Sequence, residues 1–556
     1  MNSKETQFGK NYWIAMILLI LILMVYPYYL QWISPKHGPD APSPLEETSP
    51  TDTLSQSEQT LSPAEGPFLE PSLSVPPAAI RYENLYYEVV FSTRGASIIR
   101  LFYKGEPKRE HVTEMLFYDG EPSQPGLFGV QFLHEQTDLS KAIFKLNRSD
   151  KKRAQFEFIY EIPGECRLSK EYTLISNKPV IVLKIFLENL SSREKHFPIK
   201  LDYGLYYKLT HGLMPQNFEA VVAHDTIQTA NLDKISKKGF SVSRSIRWAG
   251  VIEKYFAILV KPDWNAVQAD ATADDEIIQA QLTMEPISLK PGERKEHIFF
   301  IYAGTQRYET LKSFEMGFED LLTRGFFGVF KIWLLISLKF FNRYTHNYGW
   351  AILVLTLILK GIFLPITHQG SKSMKKLQAL SPKLKAIQEK YKNDPQKMQR
   401  EVMEIYKRNR VNPMAGCLPM LVQFPVFIAM FRLLPEAIEL KGEPFIWWIR
   451  DLSQPDKLVV FPFVVPLLGW NSLNPLPILM TATQFVYQQL MPQTGSTPEQ
   501  AKLMNLFLPI FFGFICYNMP SGLVLYWLMQ NLFSIIHQVF INRIVVALHH
   551  EDSEPS

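Results

Sequence analysis

The stretch Leu355 to Thr367 reads LTLILKGIFLPIT. It lies inside an apolar run from Gly349 to Thr367 that reads as a membrane-spanning helix. Lys360 sits near its middle, with Gly361 beside it and Pro365 one turn on. A lysine at that depth costs roughly 2.5–3.5 kcal/mol on insertion scales, so an intramembrane cation points to function before it points to structure. Thr356 is four residues earlier and shares a helical face with Lys360. Lys360 follows Gly349 by eleven residues, about 16 Å along a helix axis at 1.5 Å per residue. That is mid-bilayer.

The charge that follows fixes the direction of this span. From Ser371 to Asn412, twelve basic residues stand against four acidic ones, leaving +8. Such an excess marks a cytoplasmic segment. Met374, Leu377, Leu380, Leu384, Ile387 and Tyr391 step by three and four, a helical stripe. Asp394 followed by Pro395 predicts the start of a second helix, an N-cap with proline at the first position. The segment 371–412 is therefore expected to be a cytoplasmic helical hairpin. Its basic residues Lys375, Lys376, Lys383, Lys385, Arg408 and Arg410 are read as a solvated face or as a docking surface for headgroups or ribosomal RNA.

Working outward, the chain has 556 residues, 47% of them hydrophobic, concentrated in blocks. That length suggests two or three domains. Residues 1–33 hold the apolar run Trp13 to Ile33, preceded by Lys4 and Lys10 and flanked by Trp and Tyr. It is expected to be an uncleaved signal-anchor helix with its N-terminus in the cytoplasm. Residues 34–79, rich in Pro, Ser, Thr and Glu, read as a disordered linker. Residues 80–310 contain β-branched and aromatic runs such as YENLYYEVVFS and PVIVLKIFLENL, separated by turn signals. They predict an all-β sandwich outside the cytoplasm. It carries no HExxH, no GxSxG and no metal-ligand spacing. His211, His224 and Asp225 read as solvated or locally hydrogen-bonded. The three cysteines, Cys166, Cys417 and Cys516, are too far apart for a disulfide framework or a zinc site.

Within 311–348, Lys331, Lys339 and Arg343 recur on one face of GFFGVFKIWLLISLKFFNRY, which predicts an amphipathic helix in the outer interface. Further spans are expected at Cys417 to Leu434, Leu476 to Leu490, Leu503 to Asn518 and Leu523 to Ile541. Between them, Leu458 to Trp470 is short and holds two prolines. It is expected to be a periplasmic or re-entrant insertion. The total is six spans with both ends cytoplasmic, and a tail at 543–556. Gln423, Gln488, Tyr526 and Asn531 are polar groups in other spans that either line a cavity with Lys360 or make interhelical hydrogen bonds. Trp527 reads as packing or lipid-facing.

Several of these stretches resemble one family, the YidC/Oxa/Alb membrane protein insertases in their Gram-negative YidC form. They are TLILKGIFLPIT, the hairpin running into NPMAGCLPMLVQFPVFIAMF, PFIWWIRDLS, PILMTATQFVYQQLMP and PSGLVLYWLMQNLFSIIHQ. Together they cover nearly all of 349–542. The resemblance implies a five-helix insertase core with a hydrophilic groove, and a periplasmic β-supersandwich of the sugar-mutarotase type. It implies insertion and folding of inner-membrane proteins, without nucleotide hydrolysis or cofactor, alone or beside the Sec translocon. The implied partners are nascent membrane proteins, SecYEG and SecDF, the ribosome and targeting receptor, and membrane lipids, with no sequence-specific nucleic acid binding. Gram-negative members usually carry Arg where this chain has Lys360. A secondary transporter with one buried cationic site is the alternative, against which stands the lack of an internal repeat.

Overall fold

In the computed structural model, residues 77–551 are described apart from 106–113, 122–125, 133–137, 208–217, 274–276, 392–393, 410, 412–417, 466–469 and 492–497. The expected signal-anchor and linker, His211, and the tail beyond 551 lie outside the described residues.

From Ala79 to Thr305 the chain is almost entirely antiparallel strand. A nine-stranded sheet runs in the order Ile227–Asn231, Glu219–Ala223, Trp248–Ile252, Phe256–Pro262, Arg294–Thr305, Val180–Asn189, Cys166–Leu174, Gln155–Ile162, Lys145–Asp150. A five-stranded sheet and a four-stranded sheet accompany it. The alternation that marked these strands is the burial pattern itself: in Val180–Asn189, Ile181, Leu183, Ile185 and Leu187 are fully buried. They join Phe91, Phe156, Phe158 and Tyr172 in one core built from all three sheets.

That core contains one cation. Lys170 is 0% exposed, and its ammonium donates to the carbonyls of Gly95 at 2.9 Å and Phe128 at 2.6 Å. Both acceptors sit in left-handed backbone, φ 63° and 65°. Two strand positions on, the Tyr172 hydroxyl donates to the carbonyl of Ala96 at 2.7 Å, another left-handed residue at φ 42°. One strand of the large sheet thus clamps the turn that ends Tyr87–Ser92. Phe128 in turn donates its N–H to the carbonyl of Asp202. The buried Asp202 carboxylate accepts from Gln279 and Gln281 at 2.7 Å each. Desolvation pushes Lys170 down to about 7 and Asp202 up to about 6. His224 is buried, and its Nδ1 accepts the N–H of the adjacent Asp225 at 2.7 Å, a local role.

Three short helices, α1 (Leu232–Lys238), α2 (Tyr308–Lys312) and α3 (Asp320–Thr323), precede the long ones. The long helices are α4 (Gly328–Thr345), α5 (Tyr348–Lys390), α6 (Pro395–Arg408), α7 (Leu418–Glu436), α8 (Pro475–Leu490), α9 (Pro498–Cys516) and α10 (Ser521–Glu551). Among the described residues two stretches are long and apolar enough to cross a membrane, Tyr348–Leu384 and Ser521–Ile541; Asn505–Cys516 is shorter and apolar. The helix of the first of these continues to Lys390, so one helix carries both the apolar run and the start of the charged stretch.

Residues 375–413 belong to a different compact unit from residues 70–374 and 414–556. Asp394 caps α6 as expected, its side chain accepting the Lys397 N–H at 3.0 Å with Pro395 at the first position. Leu377, Leu380 and Leu384 are buried.

Helix α4 turns two of its three cations inward, while Arg343 is exposed. Lys331 bonds Glu436 at 2.9 Å, and Lys339 bonds Glu309 at 2.6 Å and Glu439 at 3.5 Å. The exposed side is instead Val329, Trp333, Ile336, Phe340 and Tyr344, at spacings of three and four. The apolar stripe faces outward because the carboxylates of α7 and the turn after it lie on the inner side. A small residue sets another helix contact. A Cβ at Gly513 of α9 would fall 2.1 Å from Thr481 Oγ1 of α8, so the two backbones approach only with glycine there.

Two outcomes follow from this packing. Replacing Lys170 with Met leaves two buried carbonyls without donors, and hydrogen exchange of the full-length protein should report a β domain weaker by about 2–6 kcal/mol, roughly 1–3 for each group. The wild-type advantage should grow as pH rises from about 7 toward the ordinary lysine value of 10.5, because there the unfolded chain binds the extra proton and stability rises with pH. Lys339→Met strands the Glu439 carboxylate, which is 2% exposed. Thermal unfolding in detergent should show a loss of about 3 kcal/mol, recovered in part by adding Glu439→Gln.

Candidate functional site

Lys360 lies on α5 and reaches across to α10, where its ammonium donates to the Ser534 hydroxyl at 2.6 Å. Ser534 donates in turn to the carbonyl of Gln530, one turn earlier, at 2.7 Å. Tyr487 on α8 lies beside the same hydroxyl.

Above Ser534 the same face of α10 carries Gln530 and Tyr526, and below it Gln538. All four are buried. The Gln530 amide donates to the Tyr526 hydroxyl at 3.1 Å. A lane of polar groups at four-residue spacing runs down an otherwise apolar helix. It continues beside Lys360, where the rings of His368 on α5 and His537 on α10 stand 6.0 Å apart. Among the described residues, Gln530 Oε1, His537 Nε2 and Gln488 Oε1 are buried without a hydrogen-bond partner. Such groups carry unspent capacity that water or a polar chain satisfies.

Of the residues singled out from sequence, Lys360 and Tyr526 lie on this lane. Thr356 is fully buried, and its hydroxyl donates to the carbonyl of Ile352 in its own helix at 2.6 Å. It is satisfied locally. Asn531 turns to α8, donating to the carbonyl of Met480 and to Thr483 Oγ1 at 3.3 Å each, an interhelical bond. Gln423 on α7 is half-buried. Trp527 packs edge-on between Phe427 and Phe512, at 5.0 and 4.8 Å. In the hairpin, Lys376 and Lys383 are exposed, and Arg408 pairs with Glu404 at 2.6 Å. The Lys385 side chain and Arg410 lie outside the described residues.

Sequence reasoning passed over Gln530, Ser534, Gln538 and Tyr487. The signal was present: Tyr526, Gln530, Ser534 and Gln538 recur every four residues, a single helical face.

The electrostatics are one-sided. Lys360 makes no ion pair among the described residues, and neither 475–490 nor 521–541 contains an Asp or Glu. The cation is held by neutral dipoles alone. In an apolar surround such an arrangement attracts an anion that can enter.

Comparison with known proteins places the whole chain in one family. Residues 340–548 match the family model of the 60Kd inner membrane protein, and residues 80–336 match that of the YidC periplasmic domain. The membrane protein insertase YidC of Geotalea daltonii is 32% identical over 97% of this chain and all of its own length. That of Geotalea uraniireducens is 33% identical, covering 96% of this chain and 99% of its own. That of Syntrophus aciditrophicus is 30% identical over 96% and 99%. A solved structure of an active YidC insertase with its first transmembrane domain resolved is 17% identical, covering 83% of this chain and 93% of its own, with a TM-score of 0.36. Relatives named as insertases span the chain from end to end, which leaves the transporter alternative without support. The chain belongs to the YidC family of membrane protein insertases, and its function is membrane protein insertion at the inner membrane, with the β domain in the periplasm.

Proposed function

We propose that the lane from Tyr526 to Gln538, with Lys360 opposite, lines a hydrophilic groove through which polar parts of a substrate enter the membrane. The observation that carries this reading is the unpaired Lys360 ammonium held by Ser534. A hydrophilic, often acidic, tail of a nascent membrane protein comes from the cytoplasm and is drawn to Lys360. Its carboxylate replaces or joins Ser534 as acceptor, and the unpartnered Gln488, Gln530 and His537 atoms take up backbone groups of the tail. The adjoining apolar segment slides out into lipid beside α7 and α9. Transfer of its apolar area out of water drives the step at roughly 25 cal/mol per Å². No nucleotide is consumed. The groove shortens the dehydrated path that the polar tail must cross.

In this reading the core spans the membrane five times behind an N-terminal anchor, with both termini cytoplasmic and 371–412 forming the receiving hairpin. Its exposed basic residues, Lys376 and Lys383 among them, meet the ribosome, the targeting receptor or anionic headgroups. The Sec translocon is the partner for longer substrates. The +8 charge of the hairpin segment supports the orientation.

Lys360→Ala should slow insertion of an acidic-tailed substrate about tenfold, equivalent to 1.4 kcal/mol of lost attraction, while a neutral-tailed substrate is affected far less. Lys360→Arg should retain activity. Equal insertion of the acidic substrate by Lys360→Ala and the parent protein removes the proposed role. A second experiment tests insertion without partners. The purified protein in liposomes, free of nucleotide, should convert a one- or two-span coat-type protein to a protease-protected form. Protection only when Sec components are added would show that the chain does not act alone.

A further inference from the structure

The mechanism above makes no use of the segment from Leu458 to Leu473, LVVFPFVVPLLGWNSL, which contains no charged residue. Its described residues form an antiparallel ribbon, Val459–Val465 against Trp470–Leu473. Successive residues of a strand point to opposite faces. Yet Val459 and Val460 are both exposed, at 49% and 63%, and so are Phe463 and Val464, at 60% each. The ribbon is apolar on both sides. A protein docking on one face would leave the other in water, whereas a lipid phase covers both.

The base of the ribbon is fastened to the membrane helices. Asp456 is 3% exposed, and its carboxylate accepts the Trp448 indole N–H at 2.9 Å and the Leu476 N–H of α8 at 2.7 Å. Asn474 donates to the carbonyl of Tyr517, just past α9, at 2.7 Å. The Tyr517 hydroxyl donates to the carbonyl of Ser472 at 2.9 Å. The Trp470 ring stacks on Tyr517 at 3.7 Å and meets Phe514 of α9 at 6.0 Å. The ribbon therefore cannot swing freely. Its apolar surface continues the exposed apolar sides of α8 and α9, represented by Ile478, Leu479, Ile510 and Phe514.

We propose that the ribbon of Val459–Val465 and Trp470–Leu473 is a membrane-inserting wedge whose partner is the acyl region of the phospholipid leaflet next to the periplasm. The leaflet follows from the orientation proposed above; insertion of the ribbon does not depend on it. Depth is limited by the backbone. A two-stranded ribbon has two open edges whose N–H and C=O groups are costly in hydrocarbon. Pro462, within the register shift between Val460 and Val465, removes one such N–H. The wedge thus lies in the headgroup–acyl boundary, about 5–10 Å deep, as interfacial elements do. At its base the exposed Trp447 adjoins Trp448, the partner of Asp456, where indoles favour an interface, while Trp470 pairs with Val465 at the far end of the strands.

The test places one reporter at a time on the full-length protein with Cys166, Cys417 and Cys516 replaced by Ser. Phe463→Cys carries an environment-sensitive fluorophore in vesicles of phosphatidylethanolamine and phosphatidylglycerol. Leu85→Cys, on the β domain and 54% exposed, is the aqueous control. Brominated lipid should quench the 463 probe at least about twofold more than the control, and iodide should quench it less. Quenching by iodide equal to that of the control, with no effect of brominated lipid, overturns the proposal. The same preparation at one copy per nanodisc should behave alike. If the lipid signal disappears on that dilution, a second copy covers the ribbon and the proposal fails. Val460→Asp should lower lipid quenching at 463 by half or more while insertion activity of the labelled protein confirms that it is folded; unchanged quenching in this variant also overturns it.

Discussion

A charge without a counter-charge, set in an apolar helix bundle, governs the architecture of the membrane core. The four-carbon stem of Lys360 carries its ammonium away from its own helix. The ammonium finds its acceptor on another element, Ser534 at 2.6 Å. That single bond requires α5 and α10 to approach with their polar faces toward each other. Tyr487 brings α8 to the same point. Trp527, one residue from Tyr526 and so turned away by about 100°, packs between Phe427 of α7 and Phe512 of α9.

A second lysine, Lys170, is drawn fully out of water, and its contrast with the half-buried Lys360 bears on the role proposed for Lys360. Lys170 is fixed by two backbone carbonyls in left-handed turns, and Tyr172 locks the neighbouring carbonyl. No anion can displace those acceptors without breaking the sandwich. Lys360 has one acceptor, a side-chain hydroxyl that already has a second partner in Gln530. Losing the lysine leaves Ser534 bonded. The lysine can therefore change partners at low cost, whereas Lys170 is part of the fold. Lys170 is fully buried and Lys360 half-buried, and the number and kind of acceptors separate them further.

How much of this was legible in the sequence depended on the range of the interaction. The α6 cap was readable because Asp394, Pro395 and Lys397 are neighbours. The strands were readable because burial alternates along each one. The side that Lys331 and Lys339 face was not, because Glu436 and Glu439 lie about a hundred positions away and only the fold brings them in. The four-residue rhythm of Tyr526, Gln530, Ser534 and Gln538 was visible, but serine and glutamine in a span are ordinary enough to be overlooked. Thr356 was placed on the right face and yet its hydroxyl is spent on Ile352, since a β-hydroxyl in a helix can always turn back to its own backbone. The charge-free run at Leu458–Leu473 was visible too, but period alone could not tell an exposed ribbon from a buried strand.

The choice of lysine rather than arginine also follows from the number of acceptors. A guanidinium presents five donors in a rigid fork. Among the described residues the lane offers Lys360 one hydroxyl, so an arginine there would leave most of its donors to water. An ammonium has three donors that rotate, and one is committed to Ser534. The remaining two are free to meet a carboxylate from any direction. That geometry favours a substrate that passes through in no fixed pose. A fork would hold a carboxylate more tightly and in one orientation, which helps capture but slows release. The proposed groove, which has to let every polar tail go, gains from the weaker, less directional cation.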